Sequence, residues 1–508
     1  MVGLFTGCIF GGTKTIRYSL KEDIDTLDPQ FTTNPSAKIL LQNTFEGLFQ
    51  KQPDGSISKG MVKDYTVSTD KKTYTFNLLQ NFFWTDSQRT PVTAKDFEFA
   101  LKRIFYKESP SPYAQNFLCI KNAQQILNGN LDASNLAVTA ISDWQLQITL
   151  ESPTDFLLEL LATQPAMPCN ATVFEKSKGK YGLGLQYIEF NGSYEVSKWQ
   201  RNSFISMKRN QNYPIKNKKG AVNVTFSIGE NENTATEKFN DGTTFALNYT
   251  QNFQDNVKRN SINIQEYEDI VWLLVFNQQD KNLANEHIRR ALTLCLNREK
   301  IQQDSELFFG KTNGIIPPVA SIYQSKNTLD NTEQDTQRAK IHLQTGLLEL
   351  EMKKLSKLEV IVPEYLNLPN IAGSIQKDWK NQISTYINVQ PLSWVDFGDR
   401  MKSNDFKIAI VPFKLTTDSI SLFLLQIESL TNSEYSIIKN DVDLFYKATN
   451  TSQAIGYMHA AQKKLMNAAY VYPLFTEGSY FASDSTVKNV VFEPFGNSLY
   501  FKNAYQTD

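Results

Sequence analysis

At 508 residues the chain is longer than one hydrophobic core organises, and about two to four domains are expected. Apolar residues at 41% and charged residues at 21% are those of an ordinary globular protein. A formal net charge of -1 gives no basic footprint for a phosphate backbone, so nucleic acid is excluded as an expected partner. No run reaches the roughly eighteen apolar residues that a membrane-spanning helix needs.

In chain order, the first strand is predicted over Thr15–Leu20, and residues 36–49 carry Ile39, Leu40, Phe45 and Leu48 at helical spacing. Pro53-Asp54-Gly55 is a turn signal ahead of paired strands over 62–68 and 73–84. In the second of these, Tyr74, Phe76 and Leu78 alternate with Thr73, Thr75 and Asn77, the pattern of a half-buried strand. A polar loop leads to Thr93, a helix cap with Asp96 three residues on in the arrangement of a capping box. Phe97, Ala100, Leu101, Ile104 and Phe105 then recur at helical spacing and predict one buried helix face. Ser109-Pro110-Ser111-Pro112-Tyr113 is a rigid loop, 144–150 a strand, and 156–161 the start of a short buried helix. Residues 222–228 read as a strand and 234–239 as part of a helix. The continuous apolar run 271–277 predicts a strand buried on both faces. Residues 332–358 form one helical stretch or two, with Ala339, Leu343 and Leu347 on one face. Strands over 358–363, 389–392 and 406–412 alternate with helices, which predicts a mainly parallel sheet. A helix over 459–467 and a last strand region from Pro473 follow.

Several short motifs punctuate these elements. They are Thr26-Leu27-Asp28-Pro29; Phe45-Glu46-Gly47-Leu48; Trp84-Thr85-Asp86 followed by Thr93-Ala94 and Asp96; and Asn191-Gly192-Ser193-Tyr194. Further on come Arg209-Asn210 with Tyr213, Ile288-Arg289-Arg290-Ala291-Leu292 with Asn297-Arg298, and Pro494-Phe495-Gly496. Taken in this order they resemble the signature of the extracellular solute-binding proteins of the oligopeptide and dipeptide class, the ligand receptors of ABC importers. The likeness runs over residues 15–503. It departs at Ser87, where the family has Gly after Trp-x-Asp, and the turn there is longer.

The resemblance implies an α/β, two-lobed periplasmic-binding-protein-like fold, of the class with an extra domain and with a hinge between the lobes. Residues 14–44, 181–266 and 480–508 then build a discontinuous first lobe around a mixed sheet, 45–180 an extra domain packed on it, and 267–479 the second lobe. Two crossovers, near 266 and 479, join the lobes. Residues 1–13 are expected to hold a lipobox remnant and a linker: Leu4-Phe5-Thr6-Gly7-Cys8 resembles the lipobox of bacterial lipoproteins, with Cys8 as the lipidated residue. Only seven residues precede Cys8 and none is basic. Either the chain as given begins inside a signal peptide, which the exported class favours, or Cys8 is an ordinary residue. Anchoring by several acyl chains would hold the protein stably to the outer face of a bacterial membrane.

By the same resemblance the function is capture of oligopeptides in the cleft between lobes and delivery to ABC permease subunits, outside the cytoplasm, by a monomer without a cofactor. Carried over position by position, Asp23 and Ile24 fall where an acidic and an apolar residue contact the peptide, and Tyr113 where a loop Tyr does. Trp394 and Phe413 fall at two pocket Trp positions. Where the family reads Gly-Trp-x-x-Asp-Tyr, this chain reads Pro412-Phe413-Lys414-Leu415-Thr416-Thr417-Asp418. A gapless match puts Thr416 at the ammonium-binding Asp, and Asp418 takes that place only in a loop two residues longer. The basic residue that some members use for the peptide carboxylate falls at Ile410. Plain packing is the alternative for Tyr113 and Trp394, and a solvated loop carboxylate for Asp418.

Nothing in the sequence signals catalysis. There is no HExxH, GxSxG, Walker A or GxGxxG pattern, and no enzyme activity is expected. Of three histidines, His287, His342 and His459, no two are near in sequence, and no metal site is expected. Cys119, Cys169 and Cys295 lack metal-ligand spacing and read as buried thiols, with a Cys119–Cys169 bridge the open alternative. Binding has the clearer rationale: two lobes closing on a peptide remove its backbone and charged ends from water, and each group left unmatched costs about 1–3 kcal/mol. The Thr416 mismatch keeps open a receptor for a non-peptide or modified-peptide solute. A surface sensing or adhesion protein that has kept the fold is a further alternative.

Overall fold

The computed structural model describes residues 14–52, 56–154, 156–214, 222–250, 255–303, 310, 312–320, 334–355, 358–365, 367–414, 437–448, 450–494 and 498–507. Cys8, Thr416 and Asp418 lie outside them. In strand Thr15–Leu20, Ile16, Tyr18 and Leu20 alternate inward with exposed or half-exposed neighbours, as a strand with one buried face must. It runs parallel to Asn223–Ile228, which is antiparallel to Phe204–Arg209, itself antiparallel to Tyr194–Gln200. A second sheet orders Val62–Val67, Thr73–Leu78, Gln145–Thr149 and Val138–Ser142, all antiparallel. Helix Ala94–Arg103 packs its Phe97, Ala100 and Leu101 into the same core, and the Thr93–Asp96 capping box starts it.

The predicted strand 73–84 stops at Leu78, because the chain then folds back so that Trp84 N–H donates to Thr90 O (2.9 Å) and Val92 N–H to Phe82 O (3.0 Å). The predicted helix 36–49 likewise ends at Thr44. The Asn191 side chain takes both backbone groups of Glu46, accepting from its N–H (3.0 Å) and donating to its O (2.9 Å), which diverts the chain out of the helix. Gly192 lets this happen: a Cβ there would stand 2.4 Å from Thr44 C.

The third sheet has six strands in the order Ala246–Thr250, Val471–Asp484, Ile262–Phe276, Ile408–Lys414, Glu359–Pro363, Asn388–Leu392. The three strands expected over 358–363, 389–392 and 406–412 do run parallel to one another, but the sheet they join is mixed rather than mainly parallel. Only Glu359–Pro363 is parallel to its two neighbours, and the other pairs are antiparallel. Burial and alternation report which faces are covered, not which way a strand runs. The two longest strands, Ile262–Phe276 and Val471–Asp484, pair antiparallel along nearly their whole length. Residues Val271 to Phe276 are buried, whereas the first half of that strand is largely exposed, so one strand serves two environments. The register breaks between Glu268, opposite Gly478, and Ile270, opposite Glu477, leaving Asp269 as the bulged residue.

Much of the motif chemistry holds this frame. Arg103 reaches both carboxylate oxygens of Asp28 (3.1 and 2.5 Å) and Gln30 Oε1 (2.7 Å). Glu46 accepts from Tyr213 O–H (2.6 Å) and Lys502 Nζ (3.3 Å). Buried Arg289 caps the carbonyls of Leu283, Ala284, Ala468 and Ala469, and Arg298 those of Thr312 and Pro473. Cys119, Cys169 and Cys295 are free thiols, so the bridge left open between the first two is absent.

Candidate functional site

Beyond strand Thr15–Leu20 the chain enters a loop that carries Asp23 and Ile24. The Asp23 carboxylate accepts from Ile24 N–H (2.8 Å), Asn202 N–H (2.9 Å) and Trp199 Nε1–H (3.4 Å). Ile24 is buried, and its carbonyl accepts from Arg201 (2.7 Å), whose guanidinium lies 3.8 Å over the Trp199 ring. Tyr113 O–H donates to Thr32 O (2.7 Å), which also accepts from Gln164 Nε2 (3.0 Å), and burial pushes the phenol up to about 12. Asp23, Ile24 and Tyr113 thus all converge on the segment 23–32, each already engaged within the protein.

The other predicted residues lie on the six-stranded sheet side. Trp394 opens helix Trp394–Lys402, is 46% exposed, and stands 5.7 Å from the Tyr365 ring and 6.0 Å from Phe397. Tyr365 in turn stacks on buried Trp272 at 6.0 Å. Phe413 is buried in the core beneath the sheet. Its neighbour Lys414, opposite Ile270, places Nζ 2.6 Å from Asp269 Oδ2. Glu477, also buried, accepts from Trp272 Nε1–H (2.8 Å) and Tyr365 O–H (2.8 Å). Burial raises Asp269 above the usual carboxylate range, while Lys414 and Lys21 pull it back. Burial likewise raises Glu477, which the Tyr365 and Trp272 hydrogen bonds oppose. Glu232, at the start of helix Glu232–Asn240, adds its charge at Tyr365. Lys21 follows strand Thr15–Leu20, so its charge reaches Asp269 from the side of the first sheet.

Residues 56–433 match the family model described as bacterial extracellular solute-binding proteins, family 5. The chain belongs to that family. It is 26% identical over 538 residues to the oligopeptide-binding protein OppA of Bacillus subtilis, covering 99% of this chain and 97% of that one. It is 24% identical over 499 residues to the dipeptide-binding protein DppE of the same organism, covering 96% and 91%. Among solved structures, OppA of Haemophilus influenzae in complex with RPPGFSPFR has a TM-score of 0.77 at 20% identity, covering 98% of this chain and 99% of that one. At that identity the likeness is one of fold: α/β and two-lobed.

Within this family 5 protein, sequence reasoning missed Asp269, Tyr365, Lys414 and Glu477 as a group. The available signal was a charged residue against each apolar run, Asp269 before 270–276 and Glu477 within 471–484. Their meeting depends on strand pairing that no local pattern encodes. His287 and His342, distant in sequence, also meet, with their Nδ1 atoms 2.7 Å apart. Among the described residues no group of three or more His, Cys, Asp or Glu is arranged to hold a metal, and no helix is long and apolar enough to cross a membrane.

Proposed function

We propose that this protein captures oligopeptides between its two lobes and delivers them to ABC permease subunits in the membrane, as a receptor without catalytic activity. The observation that carries this reading is the end-to-end likeness to an oligopeptide-binding protein, 99% of one chain against 97% of the other. Family 5 proteins work outside the cytoplasm. Anchoring through Cys8 as a lipoprotein, a monomeric state and the lobe boundaries given above are part of the same proposal. For the boundaries, support comes from the pairing of Glu266 with Tyr480 and of Tyr267 with Ser479, so that residues 266 and 479 lie on two adjacent strands. A two-strand crossover gives hinge closure a place to act, so that ligand shifts the population towards a closed, permease-docking form.

Titration calorimetry with a defined peptide pool, paired with solution scattering, tests this. Heat of binding together with a fall in radius of gyration is expected; neither response to any peptide removes the reading. The alternative, a receptor for a modified peptide or other solute, is favoured by the gapless match that aligns Thr416 with the family's ammonium-binding Asp. A cell extract that compacts the protein where the peptide pool does not would select it.

A further inference from the structure

Two of the three histidines meet across a helix–helix seam on the side of the six-stranded sheet. His287 stands on helix Glu286–Leu294 and His342 on helix Thr336–Glu349, and their Nδ1 atoms are 2.7 Å apart. One turn further on the seam is tight: a Cβ on Gly346 would stand 2.7 Å from Ile288 Cδ1 and 2.9 Å from Asn285 Oδ1. Asn285 caps the first helix by accepting from Ile288 N–H (3.1 Å), and its Nδ2–H donates to Glu349 Oε2 (2.8 Å) at the end of the second. With the helices joined in this way, the two rings are held within hydrogen-bond distance.

A hydrogen bond between two Nδ1 atoms needs one ring to donate and the other to accept, and the accepting ring is then neutral with its proton on Nε2. Glu349 Oε1 lies 3.8 Å from His287 Nε2, which favours His287 as the donor. A first extra proton then goes to His287 Nε2 and leaves the bond intact. A second has to go to the accepting Nδ1 of His342, and it sets two cationic rings N–H to N–H. The charges around the pair are Glu286 and Arg290 of the first helix, 2.7 Å apart, and Glu349 and Arg338 of the second, with Asp335 3.9 Å from Arg338. Helix Leu368–Ile383, which also packs on the second helix, is joined to it by the uncharged pair Gln382 and Thr336 (3.1 Å). Burial, then His287, Arg290 and Arg338, lower His342 below the ordinary histidine value of 6.5, and Glu286 opposes them.

We propose that the His287–His342 pair is an acid-sensitive fastener, which holds helix Thr336–Glu349 on helix Glu286–Leu294 at neutral pH and releases it in mild acid when both rings are charged. Histidine is the side chain whose charge changes in that range. The sign follows from the direction of the shift. His342 binds its proton less tightly in the packed seam than in a released helix, so the packing is complete above the ordinary histidine value. It is lost as pH falls through the lowered one. Release uncovers Ile288 and Gly346, both buried in the seam. It also bears on the long strand pair, because Arg289 of the same helix holds the carbonyls of Ala468 and Ala469 just ahead of strand Val471–Asp484.

The test uses the full chain and hydrogen–deuterium exchange of residues 336–349, read as the ratio of wild type to His342→Gln from about pH 7.5 to about pH 5. Glutamine keeps an acceptor for His287 and takes no proton. The two proteins are expected to protect this helix alike at neutral pH. In acid the wild type should lose protection relative to the variant, by up to about tenfold per pH unit for one linked proton. Nitrogen NMR of the histidine-labelled wild type carries the test if His342→Gln does not fold. It should show one Nδ1–H and one Nε2–H tautomer in the pair at neutral pH, with His342 still mostly neutral at the ordinary histidine value. A flat ratio across the pH range overturns the fastener, and so do two rings of like tautomer that titrate together.

Discussion

Two buried carboxylates divide this molecule. Asp28, after strand Thr15–Leu20, meets Arg103 through both oxygens, and Oδ1 also accepts Gln30 N–H (3.1 Å). The guanidinium is 2% exposed, makes a further bond to Gln30 Oε1, and lies within 5.1 Å of the Phe31, Phe174 and Tyr181 ring centres. Asp269, the bulged residue of strand Ile262–Phe276, meets a lysine that is 37% exposed, through one oxygen. The planar fork of arginine closes a network; the point charge of lysine leaves one open. A closed polar network rigidifies and specifies its surroundings, while an open one in low dielectric is poised to gain from a new partner. The first belongs to the frame; the second leaves Asp269 Oδ1 without a hydrogen-bond partner among the described residues.

Breaking the closed pair should produce the largest effect. Arg103→Met strands Asp28 as a buried unpaired charge, and a loss of about 3–5 kcal/mol in urea unfolding is expected. A loss under about 1 kcal/mol would dissolve the contrast. Gly192→Ala attacks the Thr44–Phe45 turn sterically. Its new Cβ would meet backbone at Thr44 and Phe45, at 2.4 and 2.6 Å, and backbone cannot swing aside. The expected loss is about 1–3 kcal/mol.

Asp269→Asn should go the other way. Removing a carboxylate that burial disfavours is expected to leave stability unchanged or raise it by about 1 kcal/mol. The pH dependence follows from the direction of the shift. A carboxyl raised above its unfolded value of 3.8 binds its proton more tightly in the folded state. Its stabilisation is complete below that value and is lost as pH rises through the higher folded pKa. The wild type should therefore lose stability over that window more steeply than Asp269→Asn, in urea midpoints taken at successive pH values. A steeper fall in the variant would mean that Asp269 is stabilised as the anion and belongs with Asp28.

The same division explains what could be read from the sequence. Alternation in 73–78, the Thr93–Asp96 box and the helical spacing from Phe97 all report local burial, and they correspond to a strand, a cap and a helix. The motifs were legible because Asp28, Glu46, Asn191 and Arg289 each do one fixed structural job. The parallel run of 359–363, 388–392 and 408–414 was legible from their alternation with helices, but the antiparallel pairing of 262–276 with 471–484 was not, since burial along a strand is the same whichever way its partner runs. Nor was the cluster around Asp269. Its members come from separate elements, and Asp269 takes its place only through a one-residue slip in register. Of the predicted ligand residues, Ile24 and Phe413 are buried and Trp394 is exposed, a distinction that depends on tertiary packing rather than on residue type.

Trp394 gives the smallest and most discriminating measurement. Its helix is started by Ser393, whose Oγ accepts from Asp396 N–H (3.1 Å) and donates to Asp396 Oδ2 (2.7 Å), so the cap does not need the indole. At 46% exposure the ring contributes little to folding, and Trp394→Ala should change stability by no more than about 0.5 kcal/mol. If the ring instead flanks a cationic group of a bound peptide, peptide affinity should fall by roughly fivefold to thirtyfold, the range of a partly desolvated cation–π contact. Stability and affinity would then separate at one residue. A stability loss above about 2 kcal/mol with affinity retained would assign Trp394 to the frame.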